Sequence, residues 1–369
     1  MLRYFKVNDP YRLLVILVLL VLTRVAVVLL ENPFDLLANE SLQLGLQLNQ
    51  GNPFPQVAGS NAGPLFEHFM GLLTWIAPES SLLSIILSGL LVLAQAFILN
   101  TILVRNAAFK ESSYVPALVY GLLAGSSLEF IYLSPEMMAL TFVLIGVHYL
   151  LIHLKYRGTE ENILSTGFMF GLAALFCKPA FFGLLFVILV YAFYSGTLRR
   201  RYFLMGFGFL LPFVLVWIYF LWRDAGSSFW NEYFASLFQG PVRSLMPLQD
   251  RAIGLILPLF ISLLAMAQHF TGIGMTNNQI QIQRAMLWLL LFGLGWMLLS
   301  QNGTLTEGLW LFPAVTYFLT LWIESREKPL WGEALLWLLL LSGIYFTMVP
   351  LLGVELPMPD LSLLRASFN

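Results

Sequence analysis

The feature that most constrains this chain is a succession of apolar runs, many of them close to membrane length, separated by short polar breaks. A helix needs about 20 apolar residues to cross the hydrocarbon core of a bilayer. Runs of this kind predict membrane-crossing helices and argue against a β-barrel, whose segments alternate over about ten residues. Composition agrees: 59% of residues are hydrophobic and 11% are charged, well under the charged share usual in soluble domains.

Eleven spans are predicted, at residues 11–31, 81–104, 114–133, 136–154, 163–178, 180–196, 202–222, 251–271, 285–300, 305–323 and 331–350. The fifth and ninth are short for a crossing. Their Gly and Pro neighbours predict helices that break or tilt around a cavity, because irregular backbone at membrane depth must be satisfied by protein or water. Residues 65–77 are apolar but shorter still, and predict an amphipathic helix lying at the interface. The first run, Leu13–Leu30, lacks a small-x-small cleavage site and reads as a retained helix. The fold class is therefore all-α, one polytopic membrane domain over residues 1–369, with an outward first loop carrying interfacial helices.

Charge placement gives the direction. With the N-terminus in the cytoplasm, thirteen of the nineteen Lys and Arg fall inside, the Arg199–Arg201 cluster among them; Lys178, Arg223, Arg243, Arg251 and Arg365 fall outside, and Arg24 lies within the first span. That asymmetry is the positive-inside pattern. The polar loop at residues 32–80 then faces out, as do the Glu129–Glu136 turn, the Lys178-Pro179 break and the loop from Arg223 to Asp250. Neither a Walker-type phosphate loop nor a nucleotide-binding glycine pattern is present, which argues against an ATP-driven pump. The four histidines lack metal-ligand spacing, internal repeats are not evident, and no nucleic-acid partner is expected. The lone cysteine, Cys177, cannot form an internal disulfide.

An ionisable residue at membrane depth usually faces a partner or a cavity. Arg24 reads either as a structural ion pair with Glu31 or Asp35, or as part of a site. Glu40, beside Asn39, sits in a loop shaped by Gly45, Gly51, Pro53, Pro55, Gly59, Gly63 and Pro64. A lone loop carboxylate is usually just solvated, but a loop returning to the membrane can hold one over a cavity. Ser134-Pro135-Glu136 reads as a helix start, which accounts for Glu136 as a capping residue. Glu129, seven residues earlier, suits a divalent cation or a proton-transfer role. Lys178 reads as a snorkelling lysine or as an ammonium holding a lipid phosphate. Arg243 and Arg251, flanking Pro247, could complete an anionic-headgroup site. Tyr233, with Trp230 and Phe234, reads as an interfacial belt or a sugar-stacking surface.

Two blocks resemble the GT-C glycosyltransferases of the lipid-linked sugar type, which include the protein mannosyltransferases and aminoarabinose transferases. The first is Arg24, then Asn39-Glu40-x7-Leu48-x2-Gly51-Asn52-Pro53-Phe54, then Gly63-Pro64-Leu65. The second is Gly171-Leu-Ala-Ala-Leu followed by Cys177-Lys178-Pro179, Arg199-Arg-Arg-Tyr and Leu211-Pro212-x4-Trp217. The likeness covers residues 1–240, while 241–369 match only in hydropathy. It implies inverting transfer of a sugar from a polyprenyl-phosphate-linked donor to an envelope acceptor, on the outer face of a bacterial inner membrane. Glu40 is then the acidic residue, with Asp35 as its substitute, and Lys178 lies near the lipid phosphate. Asn39, Arg24, Glu129, Tyr233, Arg243 and Arg251 are the remaining candidate substrate contacts, and a divalent cation, Mg2+ or Mn2+, is the optional cofactor. Asn39 stands where the family often has Asp, and an amide cannot act as a base. Two other readings stay open: a non-catalytic membrane component with a membrane-protein partner, and a transporter or lipid flippase. The chain also looks like members of an uncharacterised group of bacterial integral membrane proteins.

Overall fold

The computed structural model describes residues 1–7, 9–30, 40–52, 60–77, 81–125, 130–156, 160–194, 199–238, 249–269, 274–299, 305–326 and 328–351. These residues are nearly all helical. The helices are α1 (Leu2–Phe5), α2 (Leu13–Leu30), α3 (Glu40–Asn49), α4 (Pro64–Ile76), α5 (Leu82–Arg105), α6 (Val115–Ala124), α7 (Pro135–Tyr156) and α8 (Glu160–Phe176). They continue with α9 (Gly183–Tyr194), α10 (Arg199–Trp222), α11 (Gly226–Phe238), α12 (Gln249–His269), α13 (Asn277–Leu299), α14 (Phe312–Glu324) and α15 (Pro329–Leu351). Tight 3-10 turns occupy Pro10–Arg12, Lys178–Phe182 and Leu305–Leu311.

Among the described residues, five helical stretches are long and apolar enough to cross a membrane: Pro10–Leu29, Leu82–Arg105, Pro135–Tyr156, Arg200–Trp222 and Asn277–Met297. Shorter apolar helices accompany them at Val115–Ala124, Lys178–Tyr194, Ile256–His269 and Pro329–Tyr345. Together they fit a multi-pass membrane protein. Exposure supports this from the side chains. On α10, Phe203, Phe207, Leu210, Leu215 and Trp222 are all exposed, an apolar face that water would penalise and lipid would not. α6 is the opposite case, with all ten residues buried.

Three sequence expectations change in detail. Among the described residues of the predicted span 114–133 the helix is ten residues long, Val115–Ala124, with Gly125 as its C-cap. The short ninth span is longer than predicted, because Thr276 and Gln279 form a reciprocal capping box. The Gln279 N–H donates to the Thr276 hydroxyl at 3.3 Å and the Thr276 N–H to Gln279 Oε1 at 2.9 Å, which starts the helix within polar residues. The predicted span 305–323 opens as a 3-10 turn before α14, whose first turn contains Pro313.

Helix contacts are set by small and polar side chains. A Cβ at Gly167, Gly171 or Gly208 would collide with a backbone carbonyl across the α8–α10 seam, so these glycines let the two backbones touch. The turn before α7 is held to α5: the Leu133 N–H donates to the Ser84 hydroxyl at 3.1 Å, and the Ser88 hydroxyl bonds the Ile85 and Ile131 carbonyls. One level deeper, Gln95 donates to the Met137 carbonyl at 2.6 Å and the Thr141 hydroxyl at 2.8 Å, while Tyr120 donates to Gln95 Oε1 at 2.7 Å. These bonds fix the start of α7 on α5 and α6.

Candidate functional site

The site begins with two interruptions that satisfy each other. Pro179 lacks an N–H and biases Lys178 away from helical backbone, so α8 stops at Phe176 with backbone groups unspent. The Ser60–Pro64 segment takes them up. The Gly63 N–H donates to the Phe176 carbonyl at 2.9 Å, and the Lys178 N–H donates to the Asn61 carbonyl at 2.9 Å. Ala62 and Cys177 form an isolated antiparallel bridge between them. Position 63 has no room for a side chain, since a Cβ there would collide with the Leu175 carbonyl.

This clamp aims Asn61 at two buried carboxyl groups. Asn61 Nδ2 donates to Glu136 Oε1 at 3.0 Å and to Glu307 Oε1 at 3.2 Å. Glu136 is 3% exposed and Glu307 is 1% exposed. Glu136 stands at the start of α7, where Ser134 accepts from the Met137 N–H at 3.2 Å. It is further bonded by the side chains of Ser134 and Thr306 and by its own backbone N–H. Ser134 caps the helix, and Glu136, which takes up its own N–H in the first turn, does so from the buried interior. The donors on Glu136 occupy lone pairs that a divalent cation would need. Among the described residues no group of three or more His, Cys, Asp or Glu is arranged to hold a metal. Glu136 and Glu307, so bonded, do not fit the optional Mg2+ or Mn2+.

Beside this cluster lies Glu67, in the first turn of α4 and 7% exposed. Burial pushes its carboxyl up to about 7; Lys178 opposes that rise and Glu232 adds to it. Among the described residues no hydrogen bond or ion pair closes on the Glu67 carboxyl group. The adjacent His68 donates from Nδ1 to the Pro64 carbonyl at 2.8 Å. Its ring meets the edges of Tyr219 and Phe220, both at 5.6 Å, and burial pushes it below its ordinary range. Arg223 lies over the Tyr219 ring at 5.2 Å.

The structure puts the remaining candidate residues in different settings. Lys178 opens the 3-10 turn after α8 and belongs to the clamp. Tyr233 is not in a loop but in α11, its hydroxyl donating to the Ala174 carbonyl at 2.9 Å and its ring packed against Phe213, Phe229 and Phe234. A ring so enclosed presents no face for sugar stacking. Arg24 is buried, donating to the Ile85 carbonyl at 3.2 Å, the Leu20 carbonyl at 3.3 Å and the Ser88 hydroxyl at 3.5 Å. Its expected partners Glu31 and Asp35 lie outside the described residues, as do Asn39, Glu129 and Arg243. Glu40 begins α3 and Arg251 lies in the first turn of α12, but their side chains are outside the description.

Asn61, Glu67 and Glu307 are not singled out by the sequence alone. Glu307 carries a usable signal, as a lone carboxylate inside the predicted span 305–323. Glu67 is masked by the apolar residues around it. No family model, curated protein or solved structure matches this chain.

Proposed function

We propose that this protein is a membrane glycosyltransferase of the GT-C type, or a close relative. In that reading it moves a sugar from a polyprenyl-phosphate-linked donor to an envelope acceptor on the outer face of a bacterial inner membrane. One observation carries the reading. The two blocks on which the resemblance rests, Gly63-Pro64-Leu65 and Cys177-Lys178-Pro179, are 110 or more residues apart in the chain yet are joined by the Gly63–Phe176 and Lys178–Asn61 backbone bonds. Lys178, held by that contact, also acts electrostatically on the buried Glu67 carboxyl, and a cation with an acid is the combination that transfer from a lipid phosphate needs.

Sidedness is supported by the distribution of charge. Arg105, Lys155, Arg200 and Arg201 sit at the helix ends opposite the clamp, as expected for a cytoplasmic face. In this reading the bundle makes eleven crossings, the five long helices being completed by the four shorter apolar ones and by α8 and α14. Lys178 neutralises the departing phosphate, and Glu40 at the head of α3 is the acidic residue implied by the family likeness.

The test uses the full chain in nanodiscs with radiolabelled lipid-linked sugars extracted from bacterial membranes. Wild type is expected to release sugar to an acceptor, and Lys178→Ala to lose at least tenfold of that rate. Absence of transfer by wild type would overturn the proposal. A second reading, a non-catalytic membrane component, is favoured by the saturation of Glu136 with protein donors, which suits a structural pin. It predicts that Lys178→Ala fully complements a deletion and that a stoichiometric membrane partner co-purifies.

A further inference from the structure

The clamp brings together two groups that do not satisfy one another. Glu67, nine-tenths buried, has no hydrogen-bond or ion-pair partner among the described residues, and Lys178 lies within its electrostatic reach without closing an ion pair. The contrast is with Glu136, which is bonded by Asn61, Ser134 and Thr306. An unbonded buried carboxyl is costly. A carboxyl and an ammonium held apart at the same break match a ligand offering a hydroxyl to one and an anion to the other.

We propose that Glu67 is the catalytic base of this site, taking the proton of the acceptor hydroxyl while Lys178 holds the lipid phosphate. This rests on the transferase reading above and deepens it. The balance is simple. The acceptor O–H gives its proton to the Glu67 carboxylate, and the acceptor oxygen bonds to the anomeric carbon from the face opposite the phosphate. The bond from that carbon to the phosphate oxygen breaks, and its electron pair leaves on the phosphate beside Lys178. The proton on Glu67 then returns to solvent. The substrate class is accordingly an alcohol acceptor with a phosphate-bearing lipid donor.

The environment suits the role. The charged groups acting on Glu67 are Lys178 from the 3-10 turn and Glu232 from α11; on its own helix the neighbouring His68 is held towards the neutral form by burial and by Arg223, just past the end of α10. With a carboxyl raised to about 7, the base form predominates only above neutral pH, and a base matched to the working pH transfers protons most effectively.

Two measurements in nanodiscs separate this inference from the transferase reading. The first is binding of polyprenyl phosphate alone; the second is sugar transfer from the extracted lipid-linked pool across pH 5 to 9. Expected for wild type is transfer that falls about tenfold per pH unit below about 7. Glu67→Gln should bind polyprenyl phosphate as wild type does but transfer at least 100-fold more slowly, without that pH dependence. Glu67→Asp should restore part of the rate, and Lys178→Ala should lose binding. Transfer by wild type with Glu67→Gln equally active, or a wild-type profile without an ionisation near neutrality, overturns the role of Glu67 alone. Loss of transfer in Glu40→Gln with Glu67→Gln unaffected assigns the base to Glu40 instead. Wild type that neither binds the lipid nor transfers sugar overturns the transferase reading itself. Since Gln mimics the protonated carboxyl, the variant should melt with wild type at pH 5.

Discussion

Buried and half-buried carboxyl groups meet different company at the two ends of the bundle. At the end where α5 finishes and α6 begins, Glu324 accepts from the Ser113 hydroxyl at 3.4 Å, with Lys6 and Glu111 in electrostatic reach. At the clamp end, Glu136 and Glu307 share the Asn61 amide while Glu67 faces Lys178. Burial lifts both Glu67 and Glu324 to about 7. A raised carboxyl is therefore no signature of a site in this molecule. Each acid has a lysine in reach; what distinguishes the clamp end is that Glu67 is unbonded among the described residues, whereas Glu324 accepts from Ser113, and that its lysine sits on a backbone break.

The comparison can be broken most severely at Gly63. Gly63→Val drives a side chain into the Leu175 carbonyl and should destabilise the protein by about 3 kcal/mol, seen as a lower thermal midpoint in detergent and as lost lipid binding. An unchanged midpoint would mean that the clamp contributes little to the fold. Next is Asn61→Leu, which strips the shared donor from two buried carboxyl groups and is expected to cost roughly 2 kcal/mol. A change under about 0.5 kcal/mol would show that other donors hold the pair.

The third test sets the two ends against each other directly. A carboxyl raised in the folded state favours folding fully below its unfolded value near 4.5, and that contribution is lost as pH rises through about 7. Glu67→Gln and Glu324→Gln should each therefore raise stability at pH 8, by at most roughly 3 kcal/mol, and leave it unchanged at pH 4. Glu324 is the more exposed of the two, so solvent screening reduces its share. Only the Glu67 variant should also change sugar transfer, and loss of transfer in both would erase the distinction between the ends. The smallest effect belongs to the exposed Arg200–Glu160 contact at 3.6 Å; Arg200→Ala should leave the thermal midpoint within error.

Much of the bundle is legible in the sequence because membrane length is a one-dimensional property. Runs such as Leu82–Arg105 and Pro135–Tyr156 declare themselves by composition, and the 65–77 segment is a short helix of its own. Helix starts built from side-chain caps are harder, since Thr276 and Gln279 look like loop residues until their hydrogen bonds are seen. The site is legible only in halves. Lys178-Pro179 stands out as a break, but that the break accepts Asn61 follows from packing between distant segments, which residue spacing does not encode. Tyr233 misleads for the same reason: its ring suits a surface, yet α11 turns it onto the Ala174 carbonyl.

The Asn61–Glu307 hydrogen bond spans 246 positions, and that separation bears on biosynthesis. Asn61 leaves the ribosome early, while Glu307 emerges only after α13 has been made. A chain interrupted between α7 and that point holds Glu136 without Glu307 beside it. The cluster is thus completed late in membrane insertion, so that a truncated or half-inserted copy lacks the finished site and can be told from the mature protein by that absence.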